Sequence, residues 1–126
     1  MTKKLHPHFK AKWLEALRSG EYKQVKENLH TKKGFCCLGV ACHLYDPNQW
    51  QEYKAVDVNG GKYTAYQTVS GSLDLPHRED LPPEIYDALI QRFPGAFENV
   101  MRTIAQMNDD GEHSFADIAD WIEEHL

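Results

Sequence analysis

The sequence predicts an α+β fold: a single small domain over residues 1–126, with four to five helices packed on a short antiparallel β-hairpin or sheet. Three observations predict it. Apolar residues recur at helical spacing near both ends of the chain. In the middle, Asn59-Gly60-Gly61 separates two β-prone runs, and Asn-Gly in that setting is a strong short-range hairpin signal. Between helix and hairpin lies Gly34-Phe35-Cys36-Cys37-Leu38-Gly39-Val40-Ala41-Cys42-His43-Leu44-Tyr45, which holds all three cysteines and no Asp, Glu, Lys or Arg.

Each element has its own warrant. His6-Pro7 reads as a helix start, because proline at the first helical position loses no needed hydrogen bond. Phe9, Trp13, Ala16 and Leu17 then form an apolar stripe opposite Lys10, Lys12, Glu15 and Arg18. Gly20 after Ser19 is a helix stop of the left-handed type. Tyr22 to Leu29 alternates weakly and reads as a short edge strand or an extended segment. The cysteine run is short enough to be a buried strand or a buried helix on periodicity alone. Gly34 before it and Asp46-Pro47 after it favour a helix. Gly39 inside that helix costs about 1 kcal/mol relative to alanine, which implies close approach of another backbone.

Trp50 to Val69 reads as β, with Tyr53, Ala55, Val56 and Val58 before the turn and Tyr63, Ala65 and Tyr66 to Val69 after it. A two-residue turn there needs positive φ at both positions. Trp50, Tyr53, Tyr63 and Tyr66 are expected to line the hairpin as cross-strand packing. Ser70 to Pro83 is a polar linker carrying Asp74, His77, Glu79 and Asp80. Pro82-Pro83 opens a short helix over Glu84 to Arg92. Phe97, Val100, Met101, Ile104 and Met107 mark another. Asn108 to Gly111 is a turn. Ser114 with Asp117 caps the last helix as an imperfect capping box, and Phe115, Ile118, Ala119, Ile122 and Leu126 make its buried stripe.

Composition excludes several classes of function. No segment approaches the roughly 20 apolar residues of a membrane span. The first residues lack the apolar stretch of a signal peptide. An odd number of cysteines, two of them adjacent, favours reduced thiols in a cytosol over a disulfide framework. Residues 1–33 carry net charge +6 and the remainder −11, within a total of −5. That asymmetry points to an anion site near the N-terminal third or to an acidic surface turned to a basic partner; the plainer reading is that the halves complement each other. Duplex DNA is disfavoured, because the net charge repels phosphate and no recognition motif occurs.

Two chemistries attach to particular residues. Lys23, Lys26, Lys32 and Lys33, with Tyr22, Trp50, Tyr53 and Tyr63, combine cations for a phosphate with rings for a base; a solvated lysine face and ordinary packing are the alternatives. Cys36 or Cys37 at a helix start would gain nucleophilicity from the helix dipole, with His77, or His30, His43 or His113, as a base; buried packing is the commoner fate of free cysteine. Zinc is not expected, since Cys36 and His43 would lie about 10 Å apart along a helix. Gln106, Asn108, Asp110, Gly111, Glu112, Ser114 and Asp117 have calcium-loop spacing, but Gln106 lacks charge and Asp117 is short for bidentate ligation. No metal and no cofactor are expected.

Three motifs taken together resemble small proteins encoded by tailed bacteriophages and prophages. They are Trp13-Leu14-Glu15-Ala16-Leu17-Arg18-Ser19-Gly20 with Tyr22 and Gln24, then Phe35-Cys36-Cys37-Leu38-Gly39-Val40-Ala41-Cys42, then Met107-Asn108-Asp109 with Gly111 and Ser114-Phe115-Ala116-Asp117-Ile118-Ala119-Asp120. Residues 49–97 carry no motif of this resemblance. It implies a non-enzymatic phage-type accessory binding protein of the bacterial host cytosol, with counter-defence among its roles, that sequesters an anionic nucleotide or blocks a host protein. A cysteine-dependent hydrolase using Cys36 or Cys37 is the alternative. The expected partners are therefore a small anionic ligand or a host protein, with the chain a monomer or a homodimer.

Overall fold

The computed structural model describes residues 7–72, 80–81 and 97–125. Helix α1 spans Pro7–Arg18 and buries Trp13, Leu14, Ala16 and Leu17. It stops where Ser19 turns back to donate its hydroxyl to the Ala16 carbonyl at 2.8 Å and Gly20 takes φ 78°. Helix α2, Cys37–Tyr45, is the centre of the core, with Cys37, Leu38, Gly39, Val40, Ala41 and Cys42 all buried. Helices α3, Phe97–Asp109, and α4, Phe115–His125, are the other helices among the described residues. Ile104 comes from α3 and Phe115, Ile118, Ala119 and Ile122 from α4, at the spacing of one helical face. Outside the core, Arg18 of α1 donates to Asp120 at 2.7 Å and Glu123 at 3.0 Å of α4.

The sheet has four strands among the described residues: β1 His30–Thr31, β2 Gly34–Phe35, β3 Gln51–Val56 and β4 Lys62–Gln67. Their order is β2-β1-β4-β3 and every pairing is antiparallel. The predicted fold class is therefore the observed one, and the expected helix over the cysteine run is α2. The expected close approach at Gly39 is also present. A Cβ on Gly39 would sit 1.8 Å from the Leu29 carbonyl oxygen, which already accepts the Cys36 N–H at 3.0 Å. The segment before β1 thus runs directly against the first turn of α2, a contact that only glycine permits.

Four details differ from the sequence reading. First, the hairpin turn is longer than two residues and needs one positive φ, at Gly60, rather than two. Asp57 N–H donates to the Gly61 carbonyl and Gly60 N–H to the Asp57 carbonyl, a type I turn closed by a left-handed glycine. Asp57 Oδ1 also accepts the N–H groups of Asn59 and Gly61, which stabilises this alternative. Second, β1 and β2 form a further hairpin around Lys32-Lys33, which lacks a Gly or Asn signal. Third, the four hairpin aromatics do not share a face: Tyr53 and Tyr63 fall on one side of the strand register and Tyr66 on the other. Fourth, Asp80 is not a surface-loop residue but fully buried, accepting from Ser70 Oγ at 2.7 Å and Ser72 Oγ at 2.8 Å. The helix expected over Glu84 to Arg92 lies outside the described residues, as does His77.

Gly39→Ala is expected to lower stability by roughly 3 kcal/mol or more, because the new methyl meets backbone rather than a side chain that can swing away. Urea unfolding measures it, and a loss under about 1 kcal/mol would show that the two segments part easily.

Candidate functional site

The segment Gln24–Leu29 is irregular, yet its path is fixed by α3. Asn108, fully buried at the end of that helix, accepts the Cys37 N–H at 3.2 Å and Gln24 Nε2 at 3.1 Å on one oxygen. Its nitrogen donates to the Val25 carbonyl at 2.7 Å and to Asp109 Oδ1 at 3.1 Å. All four hydrogen-bonding positions of the amide are used. Asp109 Oδ1 accepts the Glu27 N–H at 2.9 Å in turn. Glu27 has φ 68°, the single non-glycine residue with positive φ among the described residues. Such a conformation costs on the order of 1 kcal/mol or more and persists only where its surroundings impose it.

That shaped segment forms one wall of an open groove of about 560 Å³. The β1–β2 turn supplies Thr31, Lys32 and Lys33, and the β3–β4 hairpin supplies Val56, Asp57, Val58, Tyr63 and Thr64. Lys26 lines the first wall with its ammonium turned away to lie beside Gly111, so Lys32 and Lys33 are the cations of the turn side, accompanied by the carboxylates of Glu27 and Asp57. Asn28 Nδ2 donates to the Tyr63 hydroxyl oxygen at 3.0 Å, which ties wall to sheet and leaves the phenol proton for another acceptor.

Of the residues singled out from sequence, Lys26, Lys32, Lys33 and Tyr63 line this groove. The others lie elsewhere. Lys23 is exposed, and its backbone carbonyl accepts the Phe35 N–H. Tyr53 is exposed on β3. Tyr22 packs edge-on against Phe35 at 5.5 Å, and Trp50 lies 5.0 Å from His30, between ring centroids. These two belong to a second cluster in which His30 stacks on Phe35 at 3.9 Å and on Tyr66 at 4.5 Å. Trp50 Nε1 donates to His43 Nδ1 at 3.1 Å, which requires that nitrogen unprotonated. His30 Nδ1 donates to the Gly34 carbonyl at 2.8 Å. Burial holds both imidazoles below the ordinary value of 6.5, with His43 adding to the effect on His30.

The cysteines lie in the interior. Cys36 is 3% exposed and Cys37 and Cys42 are fully buried. Cys36 Sγ accepts the Gly39 N–H at 3.3 Å, so the thiol serves as the helix cap. Cys37 Sγ donates to the Ile104 carbonyl at 3.8 Å. Burial pushes the Cys36 thiol up to about 12 and raises Cys37 and Cys42 as well. A thiolate nucleophile needs the opposite environment.

The α3–α4 corner is a turn in which Gly111 takes φ 79° and Asp110 Oδ2 pairs with His113 Nδ1 at 2.7 Å. Asp117 Oδ2 accepts the Ser114 N–H and Ser114 Oγ the Asp117 N–H, so the imperfect capping box is a complete one. No group of three or more metal-ligating side chains occurs among the described residues. No described helix is long and apolar enough to cross a membrane.

The chain belongs to the family described as a domain of unknown function (DUF8296), whose model matches residues 5–126. No curated protein matches the chain, and no solved structure does.

The imidazole cluster predicts a pH dependence. His30 and His43 are held neutral in the fold, so the unfolded chain binds their protons first as pH falls. Stability is expected to be flat above pH 6.5, to drop as pH falls below it, and to level once the folded-state values are passed. Urea midpoints from pH 8 to 5 test this at about half-unit steps. A His30→Phe, His43→Phe double variant should lose most of the slope in that window.

Proposed function

We propose that this family member acts by holding an anionic nucleotide in the groove between the Gln24–Leu29 segment and the β3–β4 hairpin. One observation carries the reading: Lys26 from the first wall and Lys32 and Lys33 from the β1–β2 turn line one opening with Tyr63 of the hairpin. Lysine binds phosphate as a mobile point charge: Lys32 and Lys33 line the groove, and the Lys26 ammonium would swing in from beside Gly111 to add a third. Tyr63, on the facing hairpin, offers a face for a base and a free phenol proton. A volume of about 560 Å³ falls in the range of small-molecule sites. Glu27 and Asp57 limit the net positive charge and place acceptors for hydroxyl or amino groups beside the cations.

The motif resemblance supports a phage-type accessory protein of the bacterial cytosol, with counter-defence by sequestration as its biological use. Blocking a basic host protein through the acidic last helix is less favoured. Two of that helix's carboxylates, Asp120 and Glu123, are already engaged by Arg18. A cysteine hydrolase finds no support in thiols that are buried and held protonated.

Isothermal titration against linear and cyclic mono- and dinucleotides tests the proposal. At least one should bind, more weakly as salt rises. Lys26→Ala, Lys32→Ala and Lys33→Ala should each weaken it about fivefold, or about 1 kcal/mol. Lys12→Ala, on α1, should leave it unchanged. Failure of every nucleotide to bind, or equal binding by the triple lysine variant, would remove the proposal.

A further inference from the structure

Among the described residues strand β3 is the edge of the sheet; it is six residues long, and five of its six residues are exposed. Long open edges invite another strand to pair. The direction of its free backbone groups follows from the turn. Asp57 N–H bonds to the Gly61 carbonyl, and narrow and wide pairs alternate back along the ladder. Tyr53 and Ala55 therefore bond to β4, while Glu52, Lys54 and Val56 turn their N–H and C=O groups outward.

We propose that β3 pairs antiparallel with β3 of a second copy of this chain, about a two-fold axis passing between the two Tyr53 residues. The strand's own sequence selects this register. On one face Glu52 lies opposite Lys54 of the second copy and Lys54 opposite its Glu52, giving two cross-strand ion pairs. Beyond them Val56, 61% exposed, closes the paired strip at each end. On the other face Tyr53, 40% exposed, meets its own symmetry mate. Opposite charges and paired rings directly across an antiparallel ladder are favourable, and like charges are not. The two neighbouring symmetric registers fail on that ground: one sets Lys54 against Lys54 and the other Glu52 against Glu52. Glu52 and Lys54, exchanging backbone bonds across the axis, supply four of them. Lys54 Nζ now donates to Thr64 Oγ1 at 2.8 Å on the exposed surface, a contact it can leave without burying a charge.

Two short edges bury well under the roughly 1,200 Å² of a standard interface, so the association is weak and shows only at high protein concentration. Sedimentation equilibrium up to millimolar protein should reveal a monomer–dimer equilibrium in the full chain. Glu52→Lys should raise the dissociation constant roughly tenfold, and adding Lys54→Glu to that variant should restore it. Register is read by single cysteines under mild oxidation, since the native thiols are buried. Tyr53→Cys should form a disulfide-linked dimer, because the wide pair brings its Cα atoms to about 4.5 Å. Lys54→Cys and Glu52→Cys should not. A strict monomer at every concentration, a swap that fails to rescue, or crosslinking strongest at position 52 or 54 would each overturn the proposal.

Discussion

The structure depends on one buried side-chain amide. Asn108 sits where three pieces of chain meet: the end of α3, the start of α2 and the irregular segment that follows Tyr22. Each of these ends in backbone groups with no partner of their own. A helix start leaves four N–H groups unsatisfied, and the amide oxygen of Asn108 takes the first of α2, that of Cys37. The Cys36 thiol takes the N–H of Gly39. Trp13 Nε1 reaches the Cys37 carbonyl at 3.1 Å from α1. Helix α2 is thus anchored by the adjacent Cys36 thiol and by Asn108 and Trp13, which lie far from it in sequence. A buried amide with all four positions filled is favourable, and the same amide half-filled is not. Correct placement of any one piece therefore depends on the others.

That constraint carries through to the groove. Gln24 and Val25 are held by Asn108, Glu27 is held by Asp109, and Leu29 lies flat against Gly39. Between these fixed points Asn28 reaches Tyr63 of the hairpin, while the Lys26 ammonium lies beside Gly111. The positions of Lys32 and Lys33 come from the backbone beneath, the turn that joins β1 to β2. At the proposed site an anion would require lysine side chains to move but not the backbone, which limits the ordering cost of binding.

Much of this was legible in the sequence because it rests on local rules. Proline and glycine set the bounds of α1, the serine–aspartate spacing announced the cap of α4, and an unexplained glycine in the cysteine helix announced a backbone contact. What was not legible came from long-range pairing. Lys32-Lys33 gives no turn signal, so the β1–β2 hairpin is invisible until β4 is placed beside it. Tyr22 and Trp50 look like ligand rings in a list of residues, but Phe35 and His30 claim them. Asp80 looks like linker polarity, yet Ser70 and Ser72 draw it inside. Asn108 was read as a turn residue beside a calcium-like spacing; its partners lie about seventy to eighty-four residues away, beyond any pattern a window can detect.

The most direct test is native-state hydrogen exchange on Asn108→Ala, compared with the unchanged protein. Removing the amide leaves the Cys37 N–H and the Val25 carbonyl without partners, a loss of about 3 kcal/mol. The account predicts that the amides of Cys37 and Glu27 lose protection together and far more than those in α1. Uniform protection across the variant, at undiminished stability, would contradict it.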